Sequence, residues 1–259
     1  MAHSSDPFTR EVRLCRNGDR TIYGLSFLPP GEGRRPLVIF SHELGSTLRS
    51  GIPYAKRLAA AGYASYAFDF CGGGAFGNRS DGATTEMTVS SEIGDLEAVI
   101  DTARTWDFID PEKIILIGAS QGGVVSALTA CRRPGLAAGL VLLYPAFSAV
   151  DHMHMLFASP QDIPEEFELF NGLIRLGRQY ALELWDADFY GELSRYPDPV
   201  LLLHGDSDGT VPLRFSERVC AALPDCEFHV IPGGEHGFYG RPLDDAMAYI
   251  LTYLERRLG

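Results

Sequence analysis

Ile114-Ile-Leu-Ile-Gly118-Ala-Ser120-Gln-Gly122-Gly-Val-Val-Ser-Ala-Leu128 decides the fold of this chain. Its aliphatic run reads as a short buried strand, and the residues after Gly122 favour a helix. Between them stands G-x-S-x-G, the pattern of a serine held outward on a sharp strand-to-helix turn. A Cβ at position 118 or 122 would collide as strand and helix pack across that turn, so glycine is expected at both. The helix aims its N-terminus, with unpaired N–H groups, at the space beside Ser120, a setting that stabilises negative charge. A strand–turn–helix of this kind belongs to an α/β sheet whose strands end at one edge.

Outward from the elbow, short β-rich runs alternate with helical ones. Glu11–Cys15 and Thr21–Leu28 flank Asn17-Gly18-Asp19, a hairpin signal. Leu37–Phe40, Tyr63–Phe70, Ile114–Ile117, Leu140–Tyr144, Val200–His204 and Phe228–Ile231 read as buried strands, with Asp110-Pro-Glu112 as a turn. Helices are expected near Pro53–Ala61, over Ser91–Trp106 with Ile93, Leu96, Val99, Ile100 and Ala103 on one face, and over Asp244–Arg257. Alternation of this kind predicts a mostly parallel, twisted sheet with helices on both faces. One stretch breaks the rhythm. Residues 147–196 hold no clear buried strand, only helical pieces at Asp151–Phe157, Pro164–Phe170 and Leu173–Leu184. So long an insertion in a compact domain points to a lid, which divides the chain into a core, 1–146 and 197–259, and a cap, 147–196.

Composition narrows the function classes. The 34 acidic residues against 22 Lys and Arg leave a net charge of −12. That excess disfavours nucleic acid and anionic membranes as partners, since both reward a basic face. No apolar run approaches the roughly 20 residues of a membrane-spanning helix. The polar start, Met1-Ala-His-Ser-Ser-Asp-Pro7, predicts no signal peptide. Five scattered cysteines (Cys15, Cys71, Cys131, Cys220, Cys226) without a C-x-x-C pair fit free thiols in a cytoplasmic protein. No metal is expected, since His152-x-His154 stands isolated. No cofactor is expected either: Gly72-Gly-Gly74 follows a strand but lacks the G-x-G-x-x-G of a dinucleotide site.

A serine hydroxyl needs a base to act as nucleophile, and the base needs an orienting carboxylate. In this kind of sheet the chain order is serine, acid, histidine. His204-Gly-Asp206-Ser-Asp208-Gly-Thr-Val-Pro212 follows one buried strand and Ile231-Pro-Gly-Gly-Glu-His236-Gly-Phe follows the last. Asp208 is expected as the acid, because two further residues carry it off the strand tip, while Asp206 suits a local turn. His236 is expected as the base; His42, His152, His154, His204 and His229 are its rivals. The oxyanion hole should come from the backbone N–H of Gln121, after the nucleophile, and of Leu44 in the loop after Leu37–Phe40.

These residues resemble the α/β-hydrolase superfamily and, within it, bacterial cinnamoyl (feruloyl) esterases. The resemblance runs from about Leu37 to the C-terminus. It is carried by Ala61-Gly-Tyr-Ala, Phe68-Asp-Phe, Met87-Thr-Val with Glu92 and Asp95, Gly118-Ala-Ser-Gln-Gly-Gly-Val-Val125, Leu140-Val-Leu-Leu-Tyr-Pro-Ala, Leu203-His-Gly-Asp-Ser-Asp-Gly-Thr-Val and Ile231-Pro-Gly-Gly-Glu-His-Gly-Phe. It implies an α/β-hydrolase fold and a serine carboxylesterase acting on small, aromatic, hydroxycinnamate-type esters. It further implies a cap in which Asp151 and Tyr180 hold the substrate's phenolic hydroxyl, and a homodimer. The chain departs from the family at one place. The oxyanion loop, usually His-Gly-Phe, is here His42-Glu43-Leu44, which brings a carboxylate toward a forming oxyanion unless it points away. A peptidase or thioesterase with the same triad, or a hydrolase-like binding protein without turnover, are the other readings.

Overall fold

The computed structural model describes residues 8–259; the polar start read for a signal peptide lies outside them. In chain order the strands are β1 (Thr9–Asn17), β2 (Arg20–Leu28), β3 (Arg35–Ser41), β4 (Ala64–Phe68), β5 (Ile109–Ala119), β6 (Gly139–Leu143), β7 (Glu166–Leu169), β8 (Ile174–Gly177), β9 (Val200–Gly205) and β10 (Cys226–Ile231). The helices are α1 (Ile52–Ala60), α2 (Val89–Ala103), α3 (Gln121–Arg132), α4 (Ala149–Leu156), α5 (Arg178–Trp185), α6 (Phe189–Leu193), α7 (Leu213–Ala222) and α8 (Arg241–Leu258). Eight strands form one sheet in the order β1-β2-β4-β3-β5-β6-β9-β10. From β4 to β10 every pairing is parallel; only β1–β2 and β2–β4 are antiparallel. This is the expected α/β-hydrolase sheet.

Side chains alternate across a strand, so central strands that are apolar throughout need cover on both faces. Leu37, Ile39, Leu116, Leu140 and Leu202 pack into one core with the inner faces of α2 and α3. Val38, Phe40, Ile117, Val141 and Leu203 pack into the other, under α1 and α8. At the hairpin, Asn17 pairs with Arg20 across a two-residue turn in which Gly18 takes φ +58°, the left-handed conformation that the turn requires.

Three expectations are corrected. Asp110-Pro-Glu112 is not a separate turn; it is absorbed into β5, where the register against β3 shifts between Arg35 and Leu37. Pro111 has no N–H to give a ladder, and the Asp110 carboxylate takes the Glu112 N–H at 3.1 Å instead. The segment Pro164–Phe170 is not helical. Its residues Glu166, Phe167, Glu168 and Leu169 alternate between exposed and buried as β7, antiparallel to β8. Asn171 and Gly172 turn between the two strands with positive φ. Finally, Cys220 and Cys226 are not free. The loop from α7 into β10 brings their Cα atoms to 5.4 Å and they form a disulfide; Cys15, Cys71 and Cys131 remain thiols. Among the described residues, no helix is long and apolar enough to cross a membrane.

Candidate active site

Parallel strands end at a common edge, and the loops leaving β3, β5, β9 and β10 meet there. Ser120 follows β5 with φ +52° and ψ −118°, a conformation rare for any residue with a side chain. It is pinned on two sides: its N–H donates to the Leu143 carbonyl (2.9 Å), and its carbonyl accepts from the Ala146 N–H (3.0 Å). The glycines behave as the elbow demands. A Cβ on Gly118 would stand 2.2 Å from the Gly122 carbonyl oxygen, and one on Gly122 would stand 2.3 Å from Ser41 O and 2.5 Å from His42 O. Gly122 therefore admits the β3 loop as well as the helix.

His236 Nδ1 lies 2.8 Å from Asp208 Oδ2, and its Nε2 lies 3.0 Å from Ser120 Oγ. A carboxylate on one side fixes the proton on Nδ1, so Nε2 is left to accept from the serine hydroxyl. Asp208 is itself fully engaged. Its Oδ1 accepts from the N–H groups of Thr210 (2.8 Å) and Val211 (2.9 Å). Burial would raise its pKa, but hydrogen bonds from His204, His236 and the Val211 amide outweigh burial and hold the carboxyl well below the ordinary range. It stays ionised. Asp206 does local work, as expected, and one thing more: its Oδ1 accepts from Gly233 N–H at 2.7 Å. That bond ties the acid turn to the loop carrying His236, where Gly205 and Gly234 touch so closely that a Cβ on Gly205 would lie 1.9 Å from Gly234 O.

Two of the rival histidines prove to be supports for the site. His204, fully buried, accepts from Ser216 Oγ at Nδ1 (2.6 Å) and donates from Nε2 to the Val211 carbonyl (2.9 Å), with Asp208 Oδ2 3.3 Å away. It closes the acid turn from beneath. His42 accepts the Phe70 N–H at Nε2 (3.1 Å) and donates from Nδ1 to the Glu43 carbonyl (2.8 Å). Burial lowers its pKa, and both nitrogens are occupied, so it cannot serve as the base. It shapes the loop that presents Leu44. That loop is stitched to the glycine-rich turn through Gly45 N–H to Gly73 O (2.9 Å) and Ala75 N–H to Gly45 O (3.0 Å).

A cavity of about 90 Å³ opens beside Ser120, with Gln121, Leu44, Tyr180, Phe170 and Met153 also on its walls. Leu44 and Gln121 thus line the same cavity as Ser120. Glu43 is absent from those walls. Its Oε1 accepts from Tyr144 Oη at 3.0 Å, and its Oε2 is buried with no hydrogen-bond partner among the described residues. The Tyr144 ring packs edge-on against His236, centroids 5.0 Å apart. Tyr180 lines the small cavity, whereas Asp151 lies in a larger adjoining groove of about 750 Å³. Most aromatic residues of the insertion serve as its own core: Phe157 packs on Phe167 at 5.3 Å, and Trp185 on His154 at 4.4 Å.

One element of the site escaped the sequence reading. Tyr180 Oη donates to Gln121 Oε1 (2.6 Å), and Gln121 Nε2 donates to Glu92 Oε2 (2.8 Å). Desolvation raises Glu92 to a pKa of about 8, although the Gln121 bond works against it. The signal was present: Glu92 shares the buried stripe of α2 with Leu96 and Val99, an acid on an apolar face.

A family model described as the prolyl oligopeptidase family matches residues 53–259. The chain belongs to the prolyl oligopeptidase family. This family member is an α/β hydrolase, and its fold is similar to that of Est1E from Butyrivibrio proteoclasticus, solved with ferulic acid bound. The TM-score is 0.86 and the identity 23%, with 95% of this chain and 99% of that one covered. The monoacylglycerol lipase of Mycolicibacterium smegmatis is 24% identical, over 92% of this chain and 95% of its own length. The quorum-quenching protein AidA of Acinetobacter baumannii is 33% identical over 113 residues, 43% of this chain; the match spans only 36% of that relative.

Proposed function

We propose that this chain is a serine carboxylesterase. One observation carries the reading: an unbroken hydrogen-bond series from Asp208 through His236 to Ser120, at 2.8 and 3.0 Å, ending in a serine that lines a cavity. In the proposed reaction Ser120 Oγ attacks the ester carbonyl carbon as His236 Nε2 takes the hydroxyl proton. The tetrahedral oxyanion is held by the backbone N–H groups of Leu44 and Gln121. His236 then passes the proton to the departing alkoxide, which leaves as an alcohol. Water, deprotonated by the same imidazole, attacks the acyl-serine and releases the acid.

The size of the cavity bears on the substrate. Sites that engulf a drug-sized ligand measure roughly 300–1,000 Å³, so about 90 Å³ encloses a compact group at the reacting carbonyl. A hydroxycinnamate-type ester is the substrate class we favour, with its remaining length running into the adjoining groove. The likeness to Est1E supports it, as do Tyr180 on the cavity wall and the aromatic lining from Phe170. The insertion 147–196 would act as the cap over this site. The family match favours a second reading, hydrolysis of a peptide bond by the same three side chains. The test is a burst of 4-nitrophenol from 4-nitrophenyl butyrate that disappears in Ser120→Ala. Relative kcat/KM on methyl ferulate, a peptide 4-nitroanilide and an acyl-CoA then ranks ester, amide and thioester. No release of 4-nitrophenol by the wild-type protein above that of Ser120→Ala would remove the proposal.

A further inference from the structure

The large groove beside the nucleophile cavity has a chemistry of its own. The two spaces share Ser148, His152 and Thr210 on their walls, so they adjoin. At about 750 Å³ the groove has several times the volume of the cavity that encloses the reacting carbonyl. Its far wall is α7, which sets Arg214 and Arg218 four residues apart and so on one face of the helix. Arg218 lies over the Tyr190 ring, guanidinium carbon to ring centroid 3.8 Å, and Arg214 lies over Phe215 at 4.8 Å. Stacking of this kind restrains a long side chain while leaving its N–H edge free. Among the described residues neither guanidinium has a carboxylate within 4.0 Å. One acid, Asp151, shares the groove, which leaves two fixed positive charges against one negative. In a chain of net charge −12, an anion approaching the site is repelled overall and needs such a local pair to be held.

We propose that this groove selects esters whose far end carries an anionic group, a carboxylate or a phosphate, bound by Arg214 and Arg218 while the ester carbonyl sits at Ser120. The inference rests on the esterase reading, not on the hydroxycinnamate class, and sharpens it to acid-bearing esters. A planar guanidinium offers two parallel N–H donors to either oxyanion, so the pair distinguishes charged from capped ends.

The experiment uses mono-4-nitrophenyl esters of adipic and suberic acid, the same esters with the distal acid capped as methyl ester, and a 6-phosphooxyhexanoate ester. For each protein the readout is the ratio of kcat/KM for the anionic ester over the capped one, so any general loss of activity cancels. The expected ratio is tenfold or more in the wild type, carried by KM, falling to about one in the Arg214→Gln/Arg218→Gln variant. Whether carboxylate or phosphate gives the larger ratio identifies the anion. Equal handling of charged and capped esters by the wild type, or a preference that survives in the double variant, overturns the proposal. A second measurement needs no turnover. Suberic acid monoamide is titrated by calorimetry into Ser120→Ala with and without the two arginine substitutions, and binding that is equal in both backgrounds, or absent from both, refutes the groove's role. Absence of any Ser120-dependent 4-nitrophenol release, with retained, arginine-dependent binding, would sink the esterase reading alone.

Discussion

Replacing Glu92 by Gln isolates the electrostatics beneath the nucleophile elbow. The folded protein holds this carboxyl at a pKa of about 8 against an ordinary 4.5, because the side chain is buried and desolvation disfavours its charge. The unfolded chain releases the proton above about pH 4.5, whereas the native state keeps it until about pH 8. Between those limits the unfolded state binds fewer protons, so stability from this group falls as pH rises and is level on either side. A gap of about 3.5 in pKa, at roughly 1.4 kcal/mol for each, is of the order of 5 kcal/mol, a large share of the total stability of a single domain. Gln at position 92 still accepts from Gln121 Nε2 and carries no proton to lose. At pH 5 the variant should match the wild type within about 1 kcal/mol; by pH 8.5 it should be the more stable by several, about 10 °C in Tm for a chain of this size. Urea and thermal melts of both proteins across pH 5–9 read this directly. Under the proposed mechanism an ionised Glu92 would also oppose the oxyanion, so the wild type should lose kcat above about pH 8 and the variant should not. A stability difference between the two that does not change with pH would refute the argument.

Four other substitutions test the geometry. Gly122→Ala drives a Cβ to 2.3 Å from Ser41 O; ester kcat should fall by about 100-fold or more with a stability loss of about 1–3 kcal/mol, and wild-type values would contradict the packing. Asp208→Asn should lower kcat by about 10⁴, the size of effect known for the serine-protease triad, while Asp206→Asn, which keeps an acceptor for Gly233, should stay within about tenfold; equal losses would mean that the acid is misassigned. Tyr180→Phe removes the donor to Gln121 Oε1; the ratio of kcat/KM for methyl ferulate over methyl cinnamate should drop toward one if Tyr180 meets the phenol, and an unchanged ratio would take it out of the substrate site.

The convergence of Ser120, Asp208 and His236 could be read from the chain because each lies just beyond the end of an apolar strand, and parallel strands deliver their ends to one edge. Asp208 over Asp206 was decided by two residues of reach, and the structure brings Asp208 to His236. What stayed hidden depended on partners distant in sequence. His42 and His204 look like spare bases in a list of histidines; they become supports only when Phe70, Ser216 and Val211 close on their ring nitrogens. The β7–β8 hairpin was misread because Pro164-Glu-Glu-Phe-Glu-Leu-Phe170 has residues that also suit a helix, and a four-residue strand offers only two turns of alternation to settle the matter. The Cys220–Cys226 pair was missed because cysteine spacing carries no information about a loop that folds back on itself.

Glu43 shows how a residue that contradicts a motif can be accommodated by it. In the proposed reaction two charges develop together, an oxyanion at the substrate and an imidazolium on His236, and a nearby carboxylate acts on them in opposite senses. Had the side chain entered the cavity it would have met the oxyanion first. Instead it turns away to Tyr144, whose ring lies against the imidazole, so the carboxylate is linked to the group that becomes positive. Tyr144 holds this position with φ +37°, a conformation seldom adopted by residues other than glycine, and its backbone is tied at Tyr144 N–H to Leu203 O, 2.8 Å, at the end of β9. The same strand end that launches the acid turn therefore fixes the ring between Glu43 and His236. A glycine at position 43 would leave that hydroxyl without its acceptor, so in this chain the altered motif and the strained tyrosine form one unit.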